Sequence, residues 1–459
     1  MNRRVLLVYP PSRIVTDYAP IGVSSLAAYL LKKDSSAEVR IVDYNLDKFF
    51  PETWQTELRD FKPDIVGICA LSVNYPTGKE IAGLTRQTAP NTLVVMGGVH
   101  ATMKAEDCLE HCDIVVRAEG ELTFDEICQG ARWEDIKGIS FKKDGKTVHN
   151  EARQRIDNLD EMPFPATQLL KVNQYRAFPR WTVIGSRGCP YDCSFCCSPV
   201  MWKRVIKFRS PKNIVDEVEY LHSKFGIKAI DFVDDTINIP QQRAFEICDQ
   251  IISRGLHKEM SFACSIRANK QFVSLEMFQK MKEANIQLIG LGVESASPKV
   301  LKLMRKSLTM DEVSQAIKLA RKAGIERVIG YFIVGNWGET LPDVFKSWRF
   351  ATRNNFEPSF SICTPYPGTT FNQLLQEGGY LKGEPDWSNF NQNTPIVRTD
   401  KMSRPAILLV FTVSVTLQSF LFMIRGRKGA RYSPIRIIRY GFRRAALLTR
   451  SMWQLRRKS

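Results

Sequence analysis

Cys189, Cys193 and Cys196 stand in the run Gly-Cys-Pro-Tyr-Asp-Cys-Ser-Phe-Cys, and their C-x3-C-x2-C spacing gathers three thiols round one short loop. Three soft sulfur donors on one loop suit an iron–sulfur cluster, whose cubane of four irons normally takes four cysteines. Three protein ligands leave one iron open, and an open coordination position is where chemistry can occur. A zinc site needs a fourth ligand. No His lies near, and Cys197 directly follows Cys196, too close to chelate the same ion comfortably. Three unrelated core cysteines are the plain alternative, opposed by Arg187-Gly188 and Pro190, which mark a turn.

The elements that must hold this loop form a strand–helix series. Strands are expected at Trp181–Ser186, Ala229–Val233, Ser261–Ile266, Gln287–Gly292, Arg327–Val334 and Ser359–Cys363. Helical patterns at Lys212–Lys224, Gln242–Arg254, Leu275–Glu283, Met310–Lys322 and Asp343–Arg353 fill the gaps. The loop directly follows the first strand of the series. An earlier series has strands at Arg4–Pro10, Glu38–Tyr44, Ile65–Leu71, Thr92–Gly98 and Ile114–Gly120. Between them lie helices such as Val23–Lys33, Gly78–Thr88 and Leu122–Gly130. Short apolar strands alternating with helices read as a doubly wound parallel sheet, which binds ligands over the carboxyl ends of its strands.

The run from Cys189 to Cys196 resembles the signature of the radical S-adenosylmethionine (SAM) superfamily, C-x3-C-x-aromatic-C. The resemblance implies a [4Fe-4S] cluster on Cys189, Cys193 and Cys196, with SAM chelated at the open iron as the source of a 5′-deoxyadenosyl radical. Phe195, in the aromatic slot, would pack beside the adenine. The second series is similar to that superfamily's (β/α)6 partial TIM barrel, with its site at the strand ends. There the resemblance places Asp234, in Asp231-Phe232-Val233-Asp234-Asp235, at the amino end of SAM. The plain alternative for Asp235 is an N-cap. It also implies Arg267 for the cofactor's carboxylate or for substrate, and Glu294, in Gly292-Val293-Glu294-Ser295, for the ribose hydroxyls. Gly335-Asn336-Trp337-Gly338-Glu339-Thr340 and Pro365-Tyr366-Pro367-Gly368-Thr369 match further turns of the family.

Residues 1–145 resemble the Rossmann-like cobalamin-binding domains that precede some radical SAM barrels. Gly97-Gly98-Val99-His100-Ala101-Thr102 and Ala118-Glu119-Gly120-Glu121 carry the likeness. It implies cobalamin contacts at Gly22, Ser72, Gly97, Gly98, His100, Glu119 and Gly120. Domains that ligate cobalt from below carry Asp-x-His-x-x-Gly. Here the stretch reads Asp17-Tyr18-Ala19-Pro20-Ile21-Gly22, so any bound cobalamin is not held by histidine on its lower face. His100 reads more readily as a hydrogen-bonding residue than as a substitute ligand. A Rossmann-like domain that has lost its cofactor is the bland alternative.

The expected organisation is a cobalamin domain over 1–145, a linker over 146–180, the barrel over 181–400 and a basic, amphipathic helical extension over 401–459. Eleven cysteines, an odd number in a 459-residue chain, do not suggest a disulfide framework. The first residues have too short an apolar run for a signal peptide. A reducing, oxygen-poor cytoplasm is expected. Twelve Lys or Arg and no acid lie from Arg425 to Ser459, so the net charge of +17 falls to +5 once that segment is set aside. Residues 406–424 carry no charge, and burial on the barrel, residence in a membrane surface and a span all stay open. Isoleucine, tyrosine and leucine interleave with arginine after residue 434, which suits the inner face of an anionic membrane. No nucleic-acid module is recognisable, so no such partner is expected.

The resemblance thus implies a cobalamin-dependent methyltransferase acting on an unactivated carbon of a hydrophobic substrate, a terpenoid lipid or a tetrapyrrole, with a flavodoxin- or ferredoxin-type electron donor. A cyclase or oxidase of the same architecture is the nearest alternative. A non-catalytic cobalamin or redox sensor is the alternative from another class.

Overall fold

The computed structural model describes residues 3–12, 18–354 and 356–424. Asp17, the basic run from Arg425 to Ser459 and its interleaved apolar residues therefore lie outside the described residues.

Strand β1 (Arg4–Tyr9) is an interior strand of the first sheet, and its Val5, Leu6, Leu7 and Val8 are at most 1% exposed. An unbroken apolar run of this kind belongs to a strand covered on both faces, each large side chain contributing about 1.5–3 kcal/mol. Around it pair β2 (Glu38–Asp43), β3 (Ile65–Cys69), β4 (Leu93–Gly97) and β5 (Ile114–Val116), all parallel. Then come β6 (Ile139–Lys143) and β7 (Lys146–His149), both antiparallel, giving the order β2-β1-β3-β4-β5-β6-β7. The order reverses between β1 and β3, which opens a crevice at their carboxyl ends.

Two features depart from the expected outline. The boundary at 145 falls inside the β6–β7 hairpin, because Asp144 (φ 50°) and Gly145 (φ 74°) form a two-residue turn rather than the start of a linker. A helix also spans Pro51–Phe61, with Trp54, Leu58 and Phe61 buried one turn apart.

Residues 150–179 run as a strap with short 3-10 turns, tied to the first domain where Tyr175 Oη donates to Asp43 at 2.8 Å. The second sheet follows. It comprises β8 (Arg180–Val183), then, after a small hairpin of β9 (Ser186–Arg187) and β10 (Lys207–Phe208), β11 (Ala229–Phe232), β12 (Ser261–Ile266), β13 (Ile286–Glu294), β14 (Arg327–Val334) and β15 (Glu357–Ile362). Its six strands are parallel and lie side by side in chain order, from β8 at one edge to β15 at the other. Each crossover steps one place the same way, so the sheet curls as an open (β/α)6 partial barrel with its helices outside. Helix Arg404–Ile424 packs on this barrel, placing Ile407 and Phe411 in its core. An earlier stretch, around Trp387 and Phe390, crosses back and joins the first domain's core.

Candidate cluster and cofactor site

The cluster loop leaves β9 through Gly188, whose φ is +104° and where a Cβ would stand 2.2 Å from the Val205 carbonyl. Only glycine fits that turn. The loop is then pinned from two sides: Ser194 N donates to Met304 O at 3.0 Å, and Phe371 N donates to Ser194 O at 2.8 Å. Cys189, Cys193 and Cys196 are free and partly buried. Burial pushes the Cys189 and Cys193 thiols up, and that of Cys196 up to about 12. A positive metal centre is what such thiols need to ionise. Among the described residues, no three His, Cys, Asp or Glu side chains converge tightly enough to hold one metal ion. A cubane engages each cysteine at a different iron, so its ligands surround a volume rather than a point, and the donor set fits a cluster.

Strand ends enclose this loop. Arg267, after β12, stacks its guanidinium 3.3 Å from the Tyr191 ring and is steered by Asn269 Oδ1 at 2.6 Å and the Ser307 carbonyl at 3.1 Å. Glu294 ends β13 at φ +66°, a left-handed conformation that costs a non-glycine residue roughly 1–3 kcal/mol. Its carboxylate accepts from Lys306 Nζ at 2.9 Å, with both side chains about nine-tenths buried. Lys306 and Arg267 are both close enough to oppose the burial effect on Cys193. Phe195 is half-buried and packs on the cluster of Cys363, Phe371 and Leu375, on which Trp337 also packs, an apolar surface suited to a flat base. Glu339 builds the turn beyond β14 by accepting from Gly335 N at 2.7 Å and Asn336 N at 3.2 Å, and burial raises its pKa to about 8.

Asp234 is not placed as expected. Its buried carboxylate accepts from Ser186 Oγ at 2.5 Å and Gly185 N at 2.9 Å and lies 3.6 Å from Arg243, so it braces the base of the cluster loop. Asp235 faces the cavity instead and accepts from Ser198 Oγ at 2.7 Å.

A cavity of about 360 Å³ lies between the two sheets. Its inner end is apolar, formed by Leu7, Ile68, Val95 and Phe124 beneath the β1–β3 crevice. Its outer end meets Ser186, Arg187, Val233 and Asp235 of the barrel. Gly22, Gly97, Gly98 and Gly120 line it. At Gly22 a Cβ would meet nothing within 4 Å, so glycine keeps the wall open there. At Gly98, with φ +101°, a Cβ would stand 2.8 Å from the Ala70 carbonyl. A glycine-edged, largely apolar cavity that opens beside the cluster loop fits a corrin. Ala19 packs at the margin of the barrel core and offers no donor.

Three other expected contacts are changed. Ser72 and His100 do not line the cavity: Ser72 Oγ lies 3.0 Å from His100 Nδ1, and the imidazole is wholly buried between Tyr75 and Trp387. Burial pushes its pKa down to about 3, with Lys104 and Lys79 adding to the effect. Glu119 does line the cavity, but its carboxylate is engaged by Arg187 at 2.9 Å and by Ile156 N at 3.0 Å.

Comparison with known proteins agrees with this arrangement. Residues 183–351 match the radical SAM superfamily and residues 12–128 the B12 binding domain. An uncharacterized methyltransferase of Pyrococcus horikoshii is 34% identical, over 80% of this chain and 82% of its own. The anaerobic magnesium-protoporphyrin IX monomethyl ester cyclase of Cereibacter sphaeroides is 27% identical, over 88% of this chain and 68% of its own. Among solved structures, the cobalamin-dependent SAM radical enzyme OxsB, with aqua-cobalamin and SAM bound, superposes with a TM-score of 0.76 at 18% identity, covering 99% of this chain and 71% of that one. The chain therefore belongs to the radical SAM superfamily, in the branch whose barrel follows a cobalamin-binding domain and whose cofactors are a [4Fe-4S] cluster, SAM and cobalamin.

Proposed function

We propose that this enzyme transfers a methyl group to an unactivated carbon of a hydrophobic small molecule, a terpenoid lipid or a tetrapyrrole. The observation that carries the reading is the shared wall of the cavity: the glycines of the cobalamin side and the flanks of the cluster loop, Ser186 to Gly188, face one space. Cobalamin would supply the methyl group there, and SAM at the cluster the hydrogen-abstracting radical. Cys189, Cys193 and Cys196 would hold the cluster. Arg267 and Lys306 would meet the carboxylate of SAM, Phe195 would pack on its base, and Glu294 would keep Lys306 in place. Asp235, rather than Asp234, would meet its ammonium group. The mostly apolar cavity lining would keep water from the space beside the radical site.

The test is anaerobic reconstitution with iron, sulfide and hydroxocobalamin, followed by mass spectrometry after addition of SAM and reductant. Deoxyadenosine together with S-adenosylhomocysteine is expected, and Cys193→Ala should abolish deoxyadenosine. Deoxyadenosine without S-adenosylhomocysteine would move the reading to a radical cyclase or oxidase, which the likeness to the protoporphyrin ester cyclase over 88% of this chain favours as the second reading.

The chain would work in a reducing cytoplasm, where its eleven free cysteines persist, and take electrons from a flavodoxin or ferredoxin. Among the described residues no helix is long and apolar enough to cross a membrane. Peripheral association with an anionic membrane is supported by the outer face of helices Leu341–Arg353 and Arg404–Ile424. It exposes Leu341, Phe345, Leu409 and Val413 beside Lys346, Arg349 and Arg353.

A further inference from the structure

Arg187 spans the domain boundary. Its Nη1 donates to Glu119 Oε1 at 2.9 Å and its Nη2 to Glu121 Oε1 at 2.6 Å, so one guanidinium forks between two acids of the first domain. Those acids flank Gly120 on the cavity rim. Arg155, from the strap, completes the group. Its Nε lies 3.6 Å from Glu119 Oε2, its Nη2 donates to the Arg187 carbonyl at 3.0 Å and its Nη1 to the Val205 carbonyl at 2.6 Å. The Arg155 guanidinium also lies 4.6 Å from the Trp202 ring, which lines the same cavity. Two acids and two guanidiniums thus form a charge-balanced seam with little exposure to water. Screening is weak there, and the forked geometry is directional.

The backbone between this fork and the cluster has little slack. Arg187 pairs with Lys207 in the β9–β10 hairpin, its carbonyl is held by Arg155, and Gly188 sits against Val205. Cys189 follows immediately. A shift of the rim at Glu119 and Glu121 is therefore passed along the chain to the first cluster cysteine, with few soft torsions to absorb it.

We propose that Arg187 is a positioning residue that couples occupancy of the cobalamin cavity to the geometry of the cluster loop. Cobalamin seated against Gly120 would fix the Glu119–Glu121 turn, and the forked pair would hold Arg187, and with it Cys189, in one register. The inference rests on the cavity being the cobalamin site.

The test uses full-length reconstituted protein, with hydroxocobalamin as the probe. Cobalamin binding is measured by absorbance, hydrogen exchange is followed in residues 186–196, and the reduced cluster is examined by electron paramagnetic resonance with and without cobalamin. In the wild type, cobalamin is expected to slow exchange in this loop several-fold and to shift the cluster signal. Arg187→Gln should still bind cobalamin, with both responses lost. Arg187→Lys, which keeps the charge but not the fork, should lose most of them. Glu121→Gln, which leaves the Glu119 contact, should keep part of the response. If Arg187→Gln loses the cluster outright, the Arg187→Lys and Glu121→Gln results decide. Undiminished responses in the variants that retain a cluster would overturn the coupling, as would a wild-type loop indifferent to bound cobalamin. A wild type that binds no hydroxocobalamin would instead overturn the reading of the cavity.

Discussion

His100 is held as a neutral imidazole at a cost that pH reveals. Its pKa is about 3 in the fold against 6.5 for the free side chain, so the unfolded chain binds a proton in that interval that the folded chain does not. The corresponding stability is whole above about pH 6.5 and is lost as pH falls towards 3. His100→Asn should therefore flatten the fall in denaturant midpoint between about pH 7 and pH 5. An unchanged slope would assign that fall to other groups. At this scale the sequence was a partial guide. The three cysteines, Arg267 and Glu294 lie close to one another. Asp234 and Asp235 are neighbours in the loop after strand Ala229–Phe232, and the motif could not say which one faced the cavity. Lys306 belongs to no motif; its 2.9 Å contact with Glu294 and its closeness to Cys193 mark it. The partners of Arg187 lie 66 and 68 residues away, a separation over which local patterning carries no signal.

Among the elements, the best-read ones have strong local punctuation. Strands Ser261–Ile266 and Arg327–Val334 and helices Leu275–Glu283 and Met310–Lys322 occupy the expected residues. Ser274 caps the first of these helices by accepting from Met277 N at 3.1 Å, and Thr309 caps the second. Ser274→Ala is expected to lower the unfolding free energy by about 1 kcal/mol, read from chemical denaturation, with the cluster absorbance unchanged. A loss several times larger would mean that the serine supports more than the helix end. The elements that escaped are the ones with mixed signals. Pro51 opens a helix where proline suggests a break, and the β6–β7 hairpin carries exposed lysines at its tip.

For the whole molecule, helix Arg404–Ile424 combines a side buried on the barrel with an exposed apolar side. Ile407 and Phe411 are buried on the barrel, Ser414 accepts from Trp348 Nε1 at 3.0 Å, and Leu409 is 58% exposed on the opposite side. Phe345 is 76% exposed on helix Leu341–Arg353, which contacts Arg404–Ile424 through the Trp348–Ser414 hydrogen bond. Removal of residues 425–459 should reduce pelleting with vesicles rich in anionic lipid, and adding Phe345→Glu should reduce it further while reconstituted SAM cleavage persists. Equal pelleting of all three proteins would argue against membrane docking.

The stretch around Trp387 has a different consequence, for the order of assembly. Trp387 and Phe390 complete a core whose other buried members, among them Leu6, Trp54, Val66 and Met96, all belong to the first domain. During synthesis those residues leave the ribosome long before the tryptophan that closes over His100 and Tyr75. The amino-terminal domain must therefore wait, with an apolar face uncovered, until the barrel has been made, and the last part of its interior arrives from the far end of the chain.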